Sequence, residues 1–282
     1  MNEGERAIHQ VVVGEHTTVP LEELAITAGL PKAEVKRAMQ RGAVWLARGG
    51  GFRRLRRAGA AVRPGDAVWL YHDPSVLAER PEPLSLVADE GDYSVWFKPF
   101  GLRAQGSKWG DHCTVHRQVA LQLGAERPVF LVHRLDRAAC GLVLTAHGKR
   151  TAAALMKQFE ARVVDKRYRV QVHGHFPPGP VTCDTSIDDR PARSHFTLLQ
   201  HDADAHRSWL EVRIETGRKH QIRRHAAELG FPVVGDRRYG TATDGEDLRL
   251  VAYALTFRCP RNDTTRSYLL PEGLVAWLPR LA

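Results

Sequence analysis

The sequence predicts an α+β protein in two parts: a small N-terminal α/β unit, then a larger region in which short apolar strands outnumber helices. Three observations carry this. Between residues 20 and 75, two runs at helical spacing lead directly into strand-like runs. Around residues 76–84 the chain becomes linker-like, with Pro81 and Pro83 close together. From residue 85 onward strands follow one another without a helix between each pair, which excludes a doubly wound parallel fold.

Residues 1–19 show little periodicity and are expected to form an extension. Leu21, Leu24 and Ala25 mark a first helix, and Val35, Ala38 and Met39 a second, with Gly29-Leu30-Pro31 between them and Gly42 as the stop. Strands at 43–46 and 67–71 follow, the later one after the turn Arg63-Pro64-Gly65-Asp66. In the larger region, residues 93–97 read as a strand ending in the turn Lys98-Pro99-Phe100-Gly101. Strands at 129–132 and 142–144 flank a polar loop. Ala152, Leu155, Met156 and Phe159 define the inner face of an amphipathic helix. Tyr168, Val170 and Val172 face inward on one alternating strand. Leu210, Val212 and Ile214 do so on another, with Trp209, Glu211 and Arg213 outward. A helix through Ile222, Ala226 and Leu229 ends at Gly230-Phe231-Pro232.

The 282 residues are 43% apolar and 26% charged, which excludes a disordered, collagen-like or coiled-coil chain. No run approaches the roughly 18 apolar residues of a membrane span. The opening MNEGERAIHQ lacks the apolar core of a secretory signal. Cys113, Cys140, Cys183 and Cys259 are scattered and form no CxxC pair, so reduced thiols in a cytoplasmic protein are expected, with neither a zinc site nor a disulfide framework. The net charge of +9 and a pI near 9.7 point to a polyanionic partner. Arginine outnumbers lysine 33 to 8, a bias that base composition alone can produce, so the local distribution matters more. Nine basic residues and no acidic ones lie between Lys36 and Arg63, and a one-sign stretch attracts phosphates.

Two places concentrate chemistry. His133-Arg134-Leu135-Asp136-Arg137 sits in the loop between two apolar strands, where rigid flanks hold functional groups. Thr216-Gly217-Arg218-Lys219-His220-Gln221-Ile222-Arg223-Arg224-His225 puts four cations and two histidines at a helix start, against the helix dipole. Such a local violation marks a candidate site, and helix N-terminal amides with arginines make an anion site.

At these places the chain resembles the RluA-type pseudouridine synthases. His133-Arg134-Leu135-Asp136 followed by Gly141-Leu142-Val143-Leu144 looks like the family signature. The other landmarks follow in family order: Lys98-Pro99-Phe100-Gly101, Lys166-Arg167-Tyr168, the segment from Thr216 to Arg223, and Gly235-Asp236 with Tyr239-Gly240. The N-terminal helix–helix–strand–turn–strand unit resembles an S4-type RNA-binding domain. The sequence departs from the pattern at Ala139-Cys140, where the family has Thr-Ser, and at Lys219, where it has threonine. These changes bear on substrate choice.

The resemblance implies a mostly antiparallel mixed central sheet flanked by helices and loops over residues 85–282, and an S4-like domain over 20–75. It implies conversion of a uridine in RNA to pseudouridine: the C1′–N1 bond breaks, the base turns, and C1′ joins C5. Asp136 would be the essential carboxylate, attacking C1′ or removing the 2′ proton. Arg223 would pair with it and keep it ionised, and Tyr168 would pack on the uracil and help remove the C5 proton. Arg134 would fill the place of the extruded nucleotide. Lys98, His133, Arg218, Lys219, His220, Gln221 and Ile222 are expected to contact RNA around the site, and Lys36, Arg37 and Arg41 to contact it from the N-terminal unit. No metal or cofactor is expected, and the partner is RNA, ribosomal (23S) rather than transfer RNA, bound by a monomer. Two alternatives stand beside this: a catalytically inactive RNA-binding or ribosome-assembly factor, and a metal-free ribonuclease using two of His133, His220 and His225 as acid and base.

Overall fold

The computed structural model describes residues 5–15, 20–124, 127–240 and 245–278. The chain divides into two compact units, Met1–Pro81 with Gln105–Gln118, and Glu82–Ala104 with Val119–Ala282.

In the first unit, β1 (Ala7–Val12), α1 (Pro20–Ala28), α2 (Lys32–Gln40), β2 (Val44–Arg48), β3 (Gly51–Arg54), β4 (Ala67–His72) and the short α3 (Pro74–Ala78) follow in order. The strands form one antiparallel sheet, β1-β4-β2-β3. Leu24, Val35, Met39, Leu46, Val68 and Leu70 close its core, so the helical spacing read from the sequence does face inward. Gly42 stops α2 with φ +80°, and a Cβ there would lie 2.3 Å from Asp111 Oδ1.

Three expectations for this unit are corrected. The supposed extension contains β1, paired to β4 from Ala7↔His72 to Val12↔Ala67; residues 1–4 and 16–19 lie outside the described residues. The supposed linker opens inside α3, where the Asp73 side chain accepts the Val76 N–H and Leu77 is buried. The one-sign stretch is partly neutralised by acids outside it, Asp66 just past its end and Asp111 far along the chain. Arg48 forks onto Asp66 at 2.8 and 2.5 Å, while Arg54 and Arg56 reach Asp111 at 3.3 and 2.5 Å. Lys36 and Arg37 stay exposed on α2, and Arg41 is half-buried.

The second unit continues with β5 (Ser85–Asp89), β6 (Tyr93–Lys98), β7 (Phe130–Leu131), β8 (Cys140–Ala146), α5 (Lys149–Glu160), β9 (Asp165–His173), β10 (Pro180–Cys183), β11 (Ser194–Asp202), β12 (Arg207–Ile214), α6 (Gln221–Glu228), β13 (Leu250–Arg258) and β14 (Thr265–Leu269); α4 (Val115–Gln122) straddles the unit boundary. One sheet runs β10-β11-β12-β9-β13-β8-β6-β5, with β14 on β13 and β7 on β8. Every pairing is antiparallel except β13 with β8, so the sheet is mixed and mostly antiparallel. Tertiary packing overrides the sequence pattern at three side chains, one of them Gln171, expected outward on β9 with Arg167 and Arg169 but buried between Val170 and Val172. Met156 is exposed on α5, although Ala152 and Leu155 beside it are buried. Trp209, expected outward, is buried by stacking on Trp277 with ring centroids 5.9 Å apart.

The parallel junction explains one glycine. Gly141 has φ +120°, and a Cβ there would sit 2.3 Å from Ala252 O and 2.5 Å from Ala252 N. Gly141→Ala is expected to destabilise the protein by about 2–5 kcal/mol through backbone strain and overpacking. Urea melts check this, and a change below about 1 kcal/mol would contradict it.

Candidate active site

The loop between β7 and β8 carries Asp136, and its position is set by the turn after β6. Lys98 is fully buried, and its ammonium donates to the carbonyls of Ala139 (2.6 Å), Pro99 (3.0 Å) and Arg137 (3.3 Å). The Gly101 N–H donates to Arg137 O at 2.9 Å, and Arg137 Nε returns a bond to Gly101 O at 3.2 Å. Inside the loop, Ala139 N–H donates to Asp136 O, and Val132 and Leu135 anchor it in the core. Burial pushes the Lys98 ammonium down to about 8, against the opposing pull of Cys140 and Asp136. Lys98 is therefore a clasp on the loop rather than an RNA contact, which corrects the expectation for it.

Asp136 lines a pocket of about 230 Å³ with Arg134, Tyr168, Arg218, Lys219 and His220, and with the buried side chains of Gln221 and Ile222. It is the only carboxylate among the described lining residues. Arg134 and Lys219 are exposed, and Arg218 is held by its Nε on Pro191 O at 3.1 Å. Gln221 is no RNA ligand. Its Oε1 accepts Thr216 Oγ1–H and the Arg218 N–H, and its Nε2 donates to Arg193 O and Ser194 Oγ. Ile222 is likewise a buried wall. The departures at 139 and 140 are buried, and burial pushes the Cys140 thiol up to about 12, so it is inert at neutral pH.

Tyr168 projects from β9, paired with Val212 on one side and Ala252 on the other. Burial, and then the charge of Asp136, raise its phenol above the usual tyrosine range. The phenol is thus held protonated. It suits packing against a base.

Arg223 does not fork onto Asp136. Its Nε and Nη2 bond Asp236 at 2.7 and 2.6 Å, and the third nitrogen, Nη1, lies 3.8 Å from Asp136 Oδ2. Asp236 also accepts the N–H groups of Arg238 and Tyr239, and is fully buried. Burial opposes both charges, yet the pairing wins: the Arg223 guanidinium is raised and the Asp236 carboxyl lowered. His220, in the left-handed region at φ 55°, places Nε2 3.9 Å from Asp136 Oδ1 while Nδ1 meets the Tyr239 hydroxyl at 2.9 Å. Burial lowers its pKa, against the pull of Asp136. Asp236 and Tyr239 were legible only as landmarks, in Gly235-Asp236 and Tyr239-Gly240.

The helix start is less anomalous than its sequence. Arg218 and Lys219 precede α6; within it, Arg223 has Asp236 and Arg224 has Asp188 at 2.8 Å. His225 is a core residue bonded to Ser194 and Thr185. His133 lines a neighbouring pocket, stacks on Phe159 and accepts the Leu144 N–H at Nε2, 2.9 Å. No two of the three histidines share the Asp136 pocket, which removes the acid–base pair that a ribonuclease needs.

Burial, then the charge of Lys166, push the His133 imidazole down to about 3. The unfolded chain takes up this proton near 6.5, so the stability contributed by neutral His133 is present above that pH and lost as pH falls toward 3. His133→Gln, which keeps an acceptor, is expected to flatten the stability curve there by up to about 1.4 kcal/mol per pH unit. Denaturant melts from pH 7 to 4 check this; parallel curves would refute it.

The sequence profile of the family described as RNA pseudouridylate synthase matches residues 92–228. An uncharacterized RNA pseudouridine synthase of Chloroflexus aurantiacus is 37% identical over 239 residues, covering 75% of this chain and 71% of its own. The dual-specificity RNA pseudouridine synthase RluA of Vibrio parahaemolyticus is 32% identical over 197 residues, 62% of this chain and 77% of its own. The solved structure of human RNA pseudouridylate synthase domain containing 1 shares the fold, with TM-score 0.58 and 24% identity over 69% of this chain and 85% of that one.

Proposed function

This chain belongs to the RNA pseudouridine synthases, and from that premise we propose that Asp136 is its essential carboxylate and that its substrate is a uridine in ribosomal RNA of the large subunit. One observation carries the first part: Asp136 is the only acid among the described residues of a pocket floored by Tyr168, with Arg223 Nη1 and His220 Nε2 at 3.8 and 3.9 Å. A uridine stacked in a helix hides its glycosidic bond, so the nucleotide must leave the stack. Arg134, exposed and lining the pocket, then fills the vacated position. Tyr168 then packs against the uracil while Asp136 acts at the sugar, either on C1′ or on the 2′ proton. Arg223, aimed by Asp236, balances the charge of Asp136 throughout, while the C1′–N1 bond breaks, the base turns, C1′ joins C5, the C5 proton leaves and N1 takes up a proton.

The ribosomal target rests on reading the first unit as S4-like. Its two helices leading into a sheet, and the exposed cations Lys36 and Arg37, support that reading. Tritium release from RNA labelled at uridine C5 tests the activity, and intact strands afterwards separate it from RNA cleavage. Pseudouridine maps of cellular RNA with and without the gene test the target. A position lost from transfer RNA, with ribosomal RNA unchanged, would refute the ribosomal assignment.

A further inference from the structure

A second pocket, of about 440 Å³, adjoins the first; Arg134, Tyr168, Ile214, Gly217 and Arg218 line both. The reaction at Asp136 makes no use of it. Lys166 enters it from β9, two residues before Tyr168, so the two side chains stand on the same face about 6.8 Å apart along the strand. Arg162, just past the end of α5, and Arg134 and Arg218 add three more cations. The lining holds two carboxylates against these four: Glu215 is paired with His195 at 2.8 Å, and Glu160 is exposed. Lys166 has no acid of its own within ion-pair distance among the described residues. Asp165 beside it alternates to the other face and bonds Arg167 and Arg213 at 3.0 and 3.2 Å.

We propose that this pocket binds a backbone phosphate of the RNA next to the reacting uridine, with Lys166 as its main anchor. The proposal rests on reading the Asp136 pocket as the uridine site. It explains why a half-buried lysine has no ion pair: burial lowers its ammonium pKa against the pull of Asp165, and an incoming phosphate adds counter-charge. A phosphate attached to the uridine held over Tyr168 lies at the reach that the strand spacing provides. The neutral His133–Phe159 stack walls the pocket and adds no competing charge.

The test titrates wild type, Lys166→Met and Lys166→Arg with uridine, uridine 5′-monophosphate and uridine 3′-monophosphate. One of the two nucleotides is expected to bind wild type at least about tenfold tighter than uridine, the scale of a charged hydrogen bond. Which one binds tells the 5′ from the 3′ phosphate. Lys166→Met is expected to lose that tenfold and Lys166→Arg to keep most of it, with uridine affinity equal in all three. The slope of log K against log salt for RNA should fall by about one in Lys166→Met. Equal nucleotide affinity in wild type and Lys166→Met, or no preference of wild type for either nucleotide over uridine, overturns the proposal. Failure of the activity itself is read separately, as absent tritium release by wild type with the nucleotide preference retained.

Discussion

Asp136→Asn is expected to lower tritium release from C5-labelled RNA by a factor on the order of 10⁴ or more, while RNA affinity stays within about threefold. The loss of rate follows from removing the group that meets the reacting sugar, an effect comparable to deleting a catalytic nucleophile. Affinity survives because phosphate contacts dominate it and Asp136 makes none. Asparagine keeps the size of the side chain, and the loop is held by Lys98 and Gly101 rather than by the carboxylate, so the fold should persist. Single-turnover release and filter binding on the same RNA measure both quantities. Wild-type release by Asp136→Asn would remove the residue from the reaction.

Arg223→Leu is expected to cost about 3–5 kcal/mol of stability as well as nearly all activity, because it strands the buried Asp236. The two effects share a cause. Asp236 takes Nε and Nη2, which turns Nη1 toward Asp136, so one fork serves both the core and the site. Arg223→Lys keeps a charge but not the fork and should retain partial activity. The double variant Arg223→Leu/Asp236→Asn should recover part of the lost stability, since no unpaired charge remains, without recovering the rate. Asp236→Asn alone should impair the reaction although Asp136 is intact. Arg224→Leu touches only an exposed pair with Asp188 and should change stability by less than about 0.5 kcal/mol. Urea melts and single-turnover rates on this set decide the matter. Additive stabilities for Arg223 and Asp236 would refute the coupling.

The site was legible wherever it depends on residues close in sequence. The loop of Asp136 between two apolar strands, the strand of Tyr168 and the segment from Thr216 to Arg223 stand where periodicity and motif order put them. The expected contacts failed where a side chain's fate depends on a distant segment. A lysine in a turn reads the same whether it meets RNA or two carbonyls of another loop, and Lys98 meets those of Arg137 and Ala139 besides that of Pro99. Gln221 and His133 are equally polar in sequence and equally committed to backbone groups in the fold. Hydrogen-bond demand is local, but the partner that satisfies it is not.

By itself the sequence determined what short-range patterning can encode: the period of α1, α2 and α6, the inward face of β9, and the basic excess of the chain. The tertiary structure alone decided which charges remain available. Asp66 and Asp111 take three arginines from the basic stretch, and Asp236 rather than Asp136 takes the fork of Arg223. Lys166, with no acid within ion-pair distance among the described residues, lines the pocket that adjoins that of Asp136. The physical reason is that charge pairing acts through space over about 4 Å, and folding, not sequence distance, selects what comes within it.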